Sequence, residues 1–438
     1  MSSFRTACGN SRPASAVSWL SMVVDASMPA PGEVLREMPR EMPREMPRRS
    51  AHAVPRTLHI PRSYACLSGV ECTKPLFSLP RVMLSRRQFL HTGLVASAGA
   101  ALWPRHRLSL DGEQPRSPLS FDLHTHPGAF FNAGKTGYVA DSLRGTVTGM
   151  RRGRLSGAFF GLVGDAPLIE LTPTGVKTRG SYAPGEARAE YTRQLTLLKQ
   201  QLTAISDSAF MATTAADLRR GQREQRVAAF LGCEGGEFLD GDMDRLDLMY
   251  ADGLRSLQIV HYVPSALGDL QTQPPQHNGL SAFGKDVVKR CNAKRVLVDV
   301  AHASFATVRD VVAITTAPVI LSHSILSLDA DRLLAARSIS VEHAKLVAGT
   351  GGVIGAWPSG FDRSFDEFAD NTKRLVDVIG VDHVGLGTDM DGNLEPVFAD
   401  YQQLGTWADA LVQRGLSRSD ADKVLGGNML RVLQQVIG

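Results

Sequence analysis

From residue 119 onward the chain alternates short, nearly continuous apolar runs with longer segments of helical spacing. The runs are "SFDLHTH" (120–126), "GRLSGAFFGLV" (153–163), "VAAFLGCEGG" (227–236) and "GLRSLQIVHY" (253–262). The second half adds "RVLVDVAH" (295–302), "APVILSHS" (317–324), "GGVIGAWP" (351–358) and "HVGLGTDMDG" (383–392). Between them lie stretches such as "GEARAEYTRQLTLLKQQL" (185–202) and "FDEFADNTKRLVDVIG" (365–380), spaced as helices. Apolar strands that alternate with helices predict a parallel sheet buried on both faces. Eight such units are the number in a (β/α)8 TIM-like barrel. A doubly wound open sheet is the alternative, but no GxGxxG follows the first run.

A barrel of this kind carries its chemistry at the C-terminal ends of its strands. The first run ends on His124 and His126, the third on Glu234 and the fourth on His261. The fifth ends on His302, the sixth on His323 and the eighth on Asp389. In a strand, residues i and i+2 share a face, so His124 and His126 can reach one point. Taken singly, His302 or His323 reads more readily as a buried, hydrogen-bonded histidine than as a ligand, Glu234 as an ion-paired barrel residue and Asp389 as part of a turn. Convergence on one barrel mouth is what makes them a site. His277, in a loop, and His343, in a helical stretch, are expected to be solvated, and His383 opens the eighth run at the wrong end.

Charge and cysteine usage narrow the class. The net charge is +4, yet residues 1–110 hold 15 Lys/Arg and 6 Asp/Glu, which leaves 33 against 38 beyond them. That body is acidic, so nucleic-acid binding has no electrostatic support. Only Cys233 and Cys291 fall in the body, too few for a disulfide framework, and both are expected in the core.

The N-terminal hundred residues do not continue the pattern. Residues 1–82, with "REMPREMPREMPRR", have no apolar period and too many prolines for a helix. They are expected to be a disordered or non-native extension, with Met83 the natural start. Residues 83–110 pair Arg86 and Arg87 with Phe89, Leu90 and a modest apolar run, the pattern of a twin-arginine export signal. The expected location is therefore periplasmic. The run is about 13 residues, short of the roughly 20 needed to span a membrane. The mature chain, with its single barrel domain at 119–438, is expected to have no stable span.

His124, His126, His302 and His323 around Glu234 suit two divalent cations roughly 3.5–4 Å apart. Mixed imidazole and carboxylate ligation favours zinc, with manganese, cobalt or iron as alternatives. Such a pair can acidify a bridging water to hydroxide, with Asp389 as proton acceptor and His261 as donor to a developing oxyanion. The set describes metal-assisted hydrolysis of an amide or ester.

At this point the chain resembles the membrane (renal) dipeptidases and their bacterial relatives, a branch of the metal-dependent amidohydrolases. The likeness runs from about residue 119 to the C-terminus. It rests on "GRLSGAFF", "CEGGEFL", "LQIVHY", "NGLSAFGKDVVKRCNAKRVLVDVAHAS", "APVILSHS", "HVGLGTDMDG" and "GGNMLRVLQQV". The resemblance implies a dipeptide substrate, a bridging Glu234, one metal on His302 and His323, and the other on His124 and residue 126. It implies that His261 contacts the substrate near the scissile bond and that Asp389 is the acid/base. It implies an arginine for the substrate carboxylate, for which Arg337 is the better match and Arg332 the alternative. The chain departs from the family in carrying His126 where Asp is usual, which removes one negative charge. Residues 164–185 and 355–361 also depart, and both are expected to shape the pocket. A mononuclear deaminase and a non-catalytic ligand-binding barrel are the competing readings. A homodimer is compatible with the sequence, which does not fix the oligomeric state.

Overall fold

The structure, a computed structural model, describes residues 117–438 apart from 136–137, 173–174, 328–331 and 333. The expected N-terminal extension and twin-arginine segment lie outside the described residues. The strands in chain order begin with β1 (Phe121–Thr125), β2 (Gly157–Val163), the hairpin β3 (Ile169–Thr172) and β4 (Gly175–Thr178), and β5 (Ala209–Ala212). Then come β6 (Val227–Glu234), β7 (Leu254–Gln258), β8 (Leu297–Asp299), β9 (Ile320–Ser324), β10 (Val353–Ala356) and β11 (Val384–Leu386).

The sheet runs β2-β1-β11-β10-β9-β8-β7-β6, all parallel, and β6 pairs back onto β2 to close an eight-stranded barrel. All eight expected runs are therefore its staves. Two additions were not expected. β5 pairs with the first half of β6, residues 227–230, and leaves the second half, 231–234, to β7. The antiparallel β3–β4 hairpin projects from the segment after β2. Strands of four residues carry too little periodicity to stand out from loop sequence.

Serines set where several helices begin. Ser281, Ser304, Ser340 and Ser364 each cap a helix, accepting from the backbone N–H three residues on. Each such cap is worth about 1 kcal/mol and ends a loop at a defined residue. Helices Glu186–Ala204 and Phe365–Ile379 follow the spacing read from the sequence. No helix among the described residues is long and apolar enough to cross a membrane.

Inside the barrel Phe121, Phe159 and Phe230 meet edge to face, with ring centroids 5.3–5.9 Å apart. Leu297, Ile320 and Val353 join them, and the C-terminal helix Asn428–Val436 packs against the same cluster. Strict alternation would keep Phe121 and His124 on opposite faces. A register shift between Asp122 and Thr125 breaks that alternation, so both face the interior. The β9–β10 pairing is also irregular, which reconciles an inward Ile320 with an inward His323.

One buried carboxylate fixes the seam between β1 and β11, the first and last of the described strands. Asp122 accepts from the backbone N–H of His124 at 3.1 Å and of Thr388 at 2.9 Å, and from the Tyr401 hydroxyl at 2.6 Å. It thereby ties β1 to the turn after β11. Replacing Asp122 with Ala strands these donors, and unmet buried groups cost about 1–3 kcal/mol each. We expect D122A to lose at least ~3 kcal/mol in urea unfolding, and Tyr401→Phe, which removes one donor, about 1 kcal/mol. Equal losses in the two variants would show that the carboxylate does not tie the seam.

Candidate metal centre

Glu234 is the last residue of β6, buried to 2 % exposure, and five imidazoles crowd its carboxylate. The Nε2 atoms of His124, His261 and His302 lie 3.3 Å from Oε1, and that of His323 lies 3.8 Å away. His126 Nε2 is 3.0 Å from Oε2. The imidazoles form two close pairs, His124 with His126 and His302 with His323, each with Nε2 atoms 3.0 Å apart. Asp389 stands beside the first pair, its Oδ1 3.4 Å from His126 Nε2 and 3.9 Å from His124 Nε2. Every metal-site residue expected from the sequence is brought together here. Ligand atoms of His124, His126 and Asp389, of His124, Glu234 and His323, and of Glu234, His261 and His302 each fall within 4.8 Å of one another.

The surroundings fix which nitrogens face inward. His126 Nδ1 lies 2.9 Å from the Gly161 carbonyl, so its N–H belongs there and Nε2 faces Glu234. His323 Nδ1 pairs with the Ser322 hydroxyl at 3.0 Å. Burial holds His302 well below the usual imidazole range, helped by Arg337 and His261. Burial, with His124 and His302, does the same for His323. Both are neutral near pH 7, the ligating form. Burial by itself would favour a protonated Glu234, but His261 and His124 hold it well below the carboxylate range. Neutral imidazoles at His302 and His323 beside an ionised Glu234 suit a divalent cation by donor chemistry and orientation. Burial opposes charge on His126, but its hydrogen bonds to Asp389 and Glu234 raise it to about 10, so it ligates only by giving up that proton.

Several positions that the sequence did not single out make this packing possible. A Cβ on Gly161 would lie 2.9 Å from His126 Cε1, and one on Gly392 would lie 2.6 Å from His126 Cδ2 and 2.8 Å from Asp389 Oδ1. His302 and Asp389 sit at φ +64° and +51°, a left-handed backbone that costs a non-glycine residue about 1 kcal/mol or more. The ladders of β8 and β11 end three residues before these two, so the strained turns re-aim them into the mouth.

Asp165 is the largest omission from the sequence reading. Its Oδ1 takes the Nδ1–H of His261 at 2.6 Å, and its Oδ2 takes the backbone N–H of Tyr262 and Val263 at 3.1 Å. It follows β2 directly, so its place at a strand C-terminus was the available signal. Burial opposes charge on His261, but Asp165 and Glu234 outweigh it and raise the imidazole to about 8.

The two arginines separate cleanly. Arg332 pairs with Glu367 at 2.7 Å and donates to the Phe361 carbonyl at 2.5 Å. Arg337 is 1 % exposed, stacks 5.4 Å over Trp357, and donates through Nη1 to Gln271. Its Nε and Nη2 make no close hydrogen bond among the described residues, and the Tyr262 hydroxyl stands beside the guanidinium.

His277 is exposed and His383 bonds the Gly352 carbonyl away from the mouth, both as expected. His343 is not solvated. It is 3 % exposed, because the helix Val341–Gly349 turns it inward beside Ala344 and Val347, and burial lowers it to about 4. Cys233 and Cys291 are both buried.

Fold and mouth together define a (β/α)8 barrel with a histidine–carboxylate metal centre. The chain belongs to the membrane dipeptidase family, peptidase family M19, whose model matches residues 141–437. It is 30% identical over 259 residues to dipeptidase tcpJ of Claviceps purpurea, a match covering 56% of this chain and 59% of that protein. Dipeptidase aclJ of Aspergillus oryzae is 29% identical, over 66% of this chain and 68% of its own. The chain thus spans about three fifths to two thirds of these relatives. Among solved structures, a dipeptidase AC of family M19 aligns with TM-score 0.63 and 21% identity over 73% of this chain and 99% of its own. A metallopeptidase of Rhodobacter sphaeroides, bound to a phosphinate mimic of L-Ala-D-Ala, aligns with TM-score 0.61 and 20% identity, over 73% and 99%.

Asp165→Asn keeps an acceptor for His261 Nδ1–H but removes the charge that holds the imidazole up at about 8. Since Asp165 raises this group, its loss moves the titration of His261 to lower pH. Imidazole 15N shifts followed across pH 5–9 read this directly. An unmoved midpoint would mean that Glu234 alone sustains the charge.

Proposed function

We propose that this chain is a metallodipeptidase that holds two divalent cations, zinc by donor preference, and hydrolyses dipeptides with a free C-terminal carboxylate. The observation that carries the reading is the pair of imidazole pairs on one buried carboxylate, with 3.0 Å between the nitrogens of each pair. His124 and His126 would hold one ion, His302 and His323 the other, and Glu234 would join both. Once it has given up its proton, His126 would supply an uncharged donor where the family resemblance implies a carboxylate. Bound there, such ions acidify a water and polarise the scissile carbonyl. Family membership, and the dipeptide mimic bound by the Rhodobacter relative, support the substrate class.

The remaining steps fall to this chain's own residues. Asp389 stands within 3.4 Å of His126 Nε2 at the open side of the mouth, placed to take a proton and return it to the leaving amine. Asp165 and Glu234 outweigh burial and raise His261 to about 8, which favours a ring that donates from both nitrogens. With Nδ1–H on Asp165, its Nε2–H faces the mouth 3.3 Å from Glu234 Oε1, where it can turn to charge developing on the carbonyl oxygen. Arg337 offers two unused donors, Nε and Nη2, which match a carboxylate in bidentate, charge-assisted geometry.

Metal analysis of the purified protein tests the reading: two ions per chain are expected, and Glu234→Gln should lose them or hold them weakly. One ion per chain would return the mouth to single-metal, deaminase-like chemistry.

Asp389→Asn should keep full metal content and lower kcat on dipeptides by about 10² to 10⁴, the range for a general acid/base. Unchanged turnover would make Asp389 structural.

C-terminally amidated dipeptides should be poor substrates, and Arg337→Ala should raise KM far more than it lowers kcat. Arg332→Ala should leave KM within about twofold, since Arg332 is committed to Glu367; the reverse result would exchange their roles.

A further inference from the structure

The cavity above the metal centre has a volume of ≈ 850 Å³, in the upper part of the range for drug-sized ligands and far more than two small residues fill. Its residues give it a direction. Trp357 lines the cavity and packs 5.4 Å from His323, and the buried Arg337 stacks on Trp357 from outside the lining, which sets that end beside the second imidazole pair. At the other end Phe131 packs edge-on to His126 at 5.2 Å. A dipeptide held by its carboxylate at Arg337, with its scissile bond over Glu234, therefore points its N-terminal residue past His126.

Beyond His126 the cavity continues into an arm. Phe131, Val163 and Ala166 form a small buried cluster against which Ile169 of β3 packs. In the hairpin register Ile169 faces Thr178 and residue 171 faces Val176, so Ile169 and Val176 lie on one face. Both line the cavity, as does Val139 at the rim, which is 68% exposed and unusually bare for a large apolar side chain. The charged groups along the arm have other partners. Arg179 pairs with Glu170, and Lys135 donates to the Ala166 carbonyl at 2.9 Å. Asn132, Tyr138, Ser142 and Thr146 also line the cavity, and Phe131, Val163, Ile169 and Val176 give the arm its apolar wall.

We propose that this arm, walled by Phe131, Val163, Ile169 and Val176 with Val139 at its rim, is a subsite for the N-terminal side chain and selects bulky apolar residues. This rests on the dipeptidase reading. Two of its walls, Ile169 and Val176, lie in the segment 164–185, where the sequence reading has the chain depart from its family. Each buried CH2 is worth about 0.8 kcal/mol, so a phenylalanine or leucine side chain gains more than tenfold over alanine.

The test compares kcat/KM of the metal-loaded full chain on Phe–Ala, Leu–Ala and Ala–Ala. The wild type should prefer Phe–Ala and Leu–Ala to Ala–Ala by tenfold or more. Val176→Asp, which puts charge on the wall, and Ile169→Ala, which strips carbons from it, should each cut that ratio at least fivefold. Metal content and Ala–Ala turnover in the same preparations report folding, and the ratio is independent of the active fraction. No preference in the wild type, or a preference that neither variant lowers, overturns the subsite and leaves the peptidase reading standing. A metal-loaded wild type that cleaves none of the three overturns the peptidase reading, and the subsite with it.

Discussion

A carboxylate buried to 2 % exposure, with five imidazole nitrogens within 3.8 Å, is the constraint around which this molecule is organised. Isolated, a buried carboxylate takes up a proton, because desolvation penalises its charge. Here the imidazoles keep Glu234 ionised, and Glu234 gives five otherwise crowded rings a common target. The centre exists only when β1, β6, β7, β8 and β9 are all in register. Closing the barrel and assembling the site are one event.

The barrel accommodates that centre by local concessions. Phe121, Phe159 and Phe230 fill the interior below it with apolar volume. Just above, glycines at 161 and 392 replace side chains so that His126 fits, and left-handed backbone at His302 and Asp389 turns both residues inward. Register shifts in β1 and β9 let inward-facing phenylalanine and isoleucine be followed by inward-facing histidines. Strain of this kind persists only where surrounding structure over-determines it. Asp122, bonded to His124 and Thr388, and Asp299, which accepts from the backbone N–H of Ala301 and Ser322 at 3.0 Å, supply that determination beneath the first and second imidazole pairs.

Around the reactive positions lies a second set of buried polar groups that orients them. Asp165 spends one oxygen on His261 and the other on two backbone amides, so its position is fixed before it fixes the imidazole. Gln271 holds Arg337 at one edge of its guanidinium and leaves the other edge to a ligand. The division between Arg337 and Arg332 follows from Glu367, a residue 35 positions from Arg332 that no local motif connects to it.

Eight apolar runs and the polar residues at their ends were legible because hydrophobic burial and strand geometry leave a periodic trace in the chain. His124, His126, Glu234, His261, His302, His323 and Asp389 were legible for the same reason, since a barrel gathers whatever ends its strands. Asp165, Gly161 and Gly392 were not, because their roles are defined by distances to residues far away in sequence. His343 read as solvated because its helix has a mixed pattern, and only the packing of that helix shows which face is inward. The β3–β4 hairpin and its apolar arm were invisible for want of length. The sequence alone thus determined the staves and the chemistry at their tips, which local periodicity encodes. The tertiary structure alone decided the register, the strained turns and the shape of the cavity, which depend on contacts between distant segments.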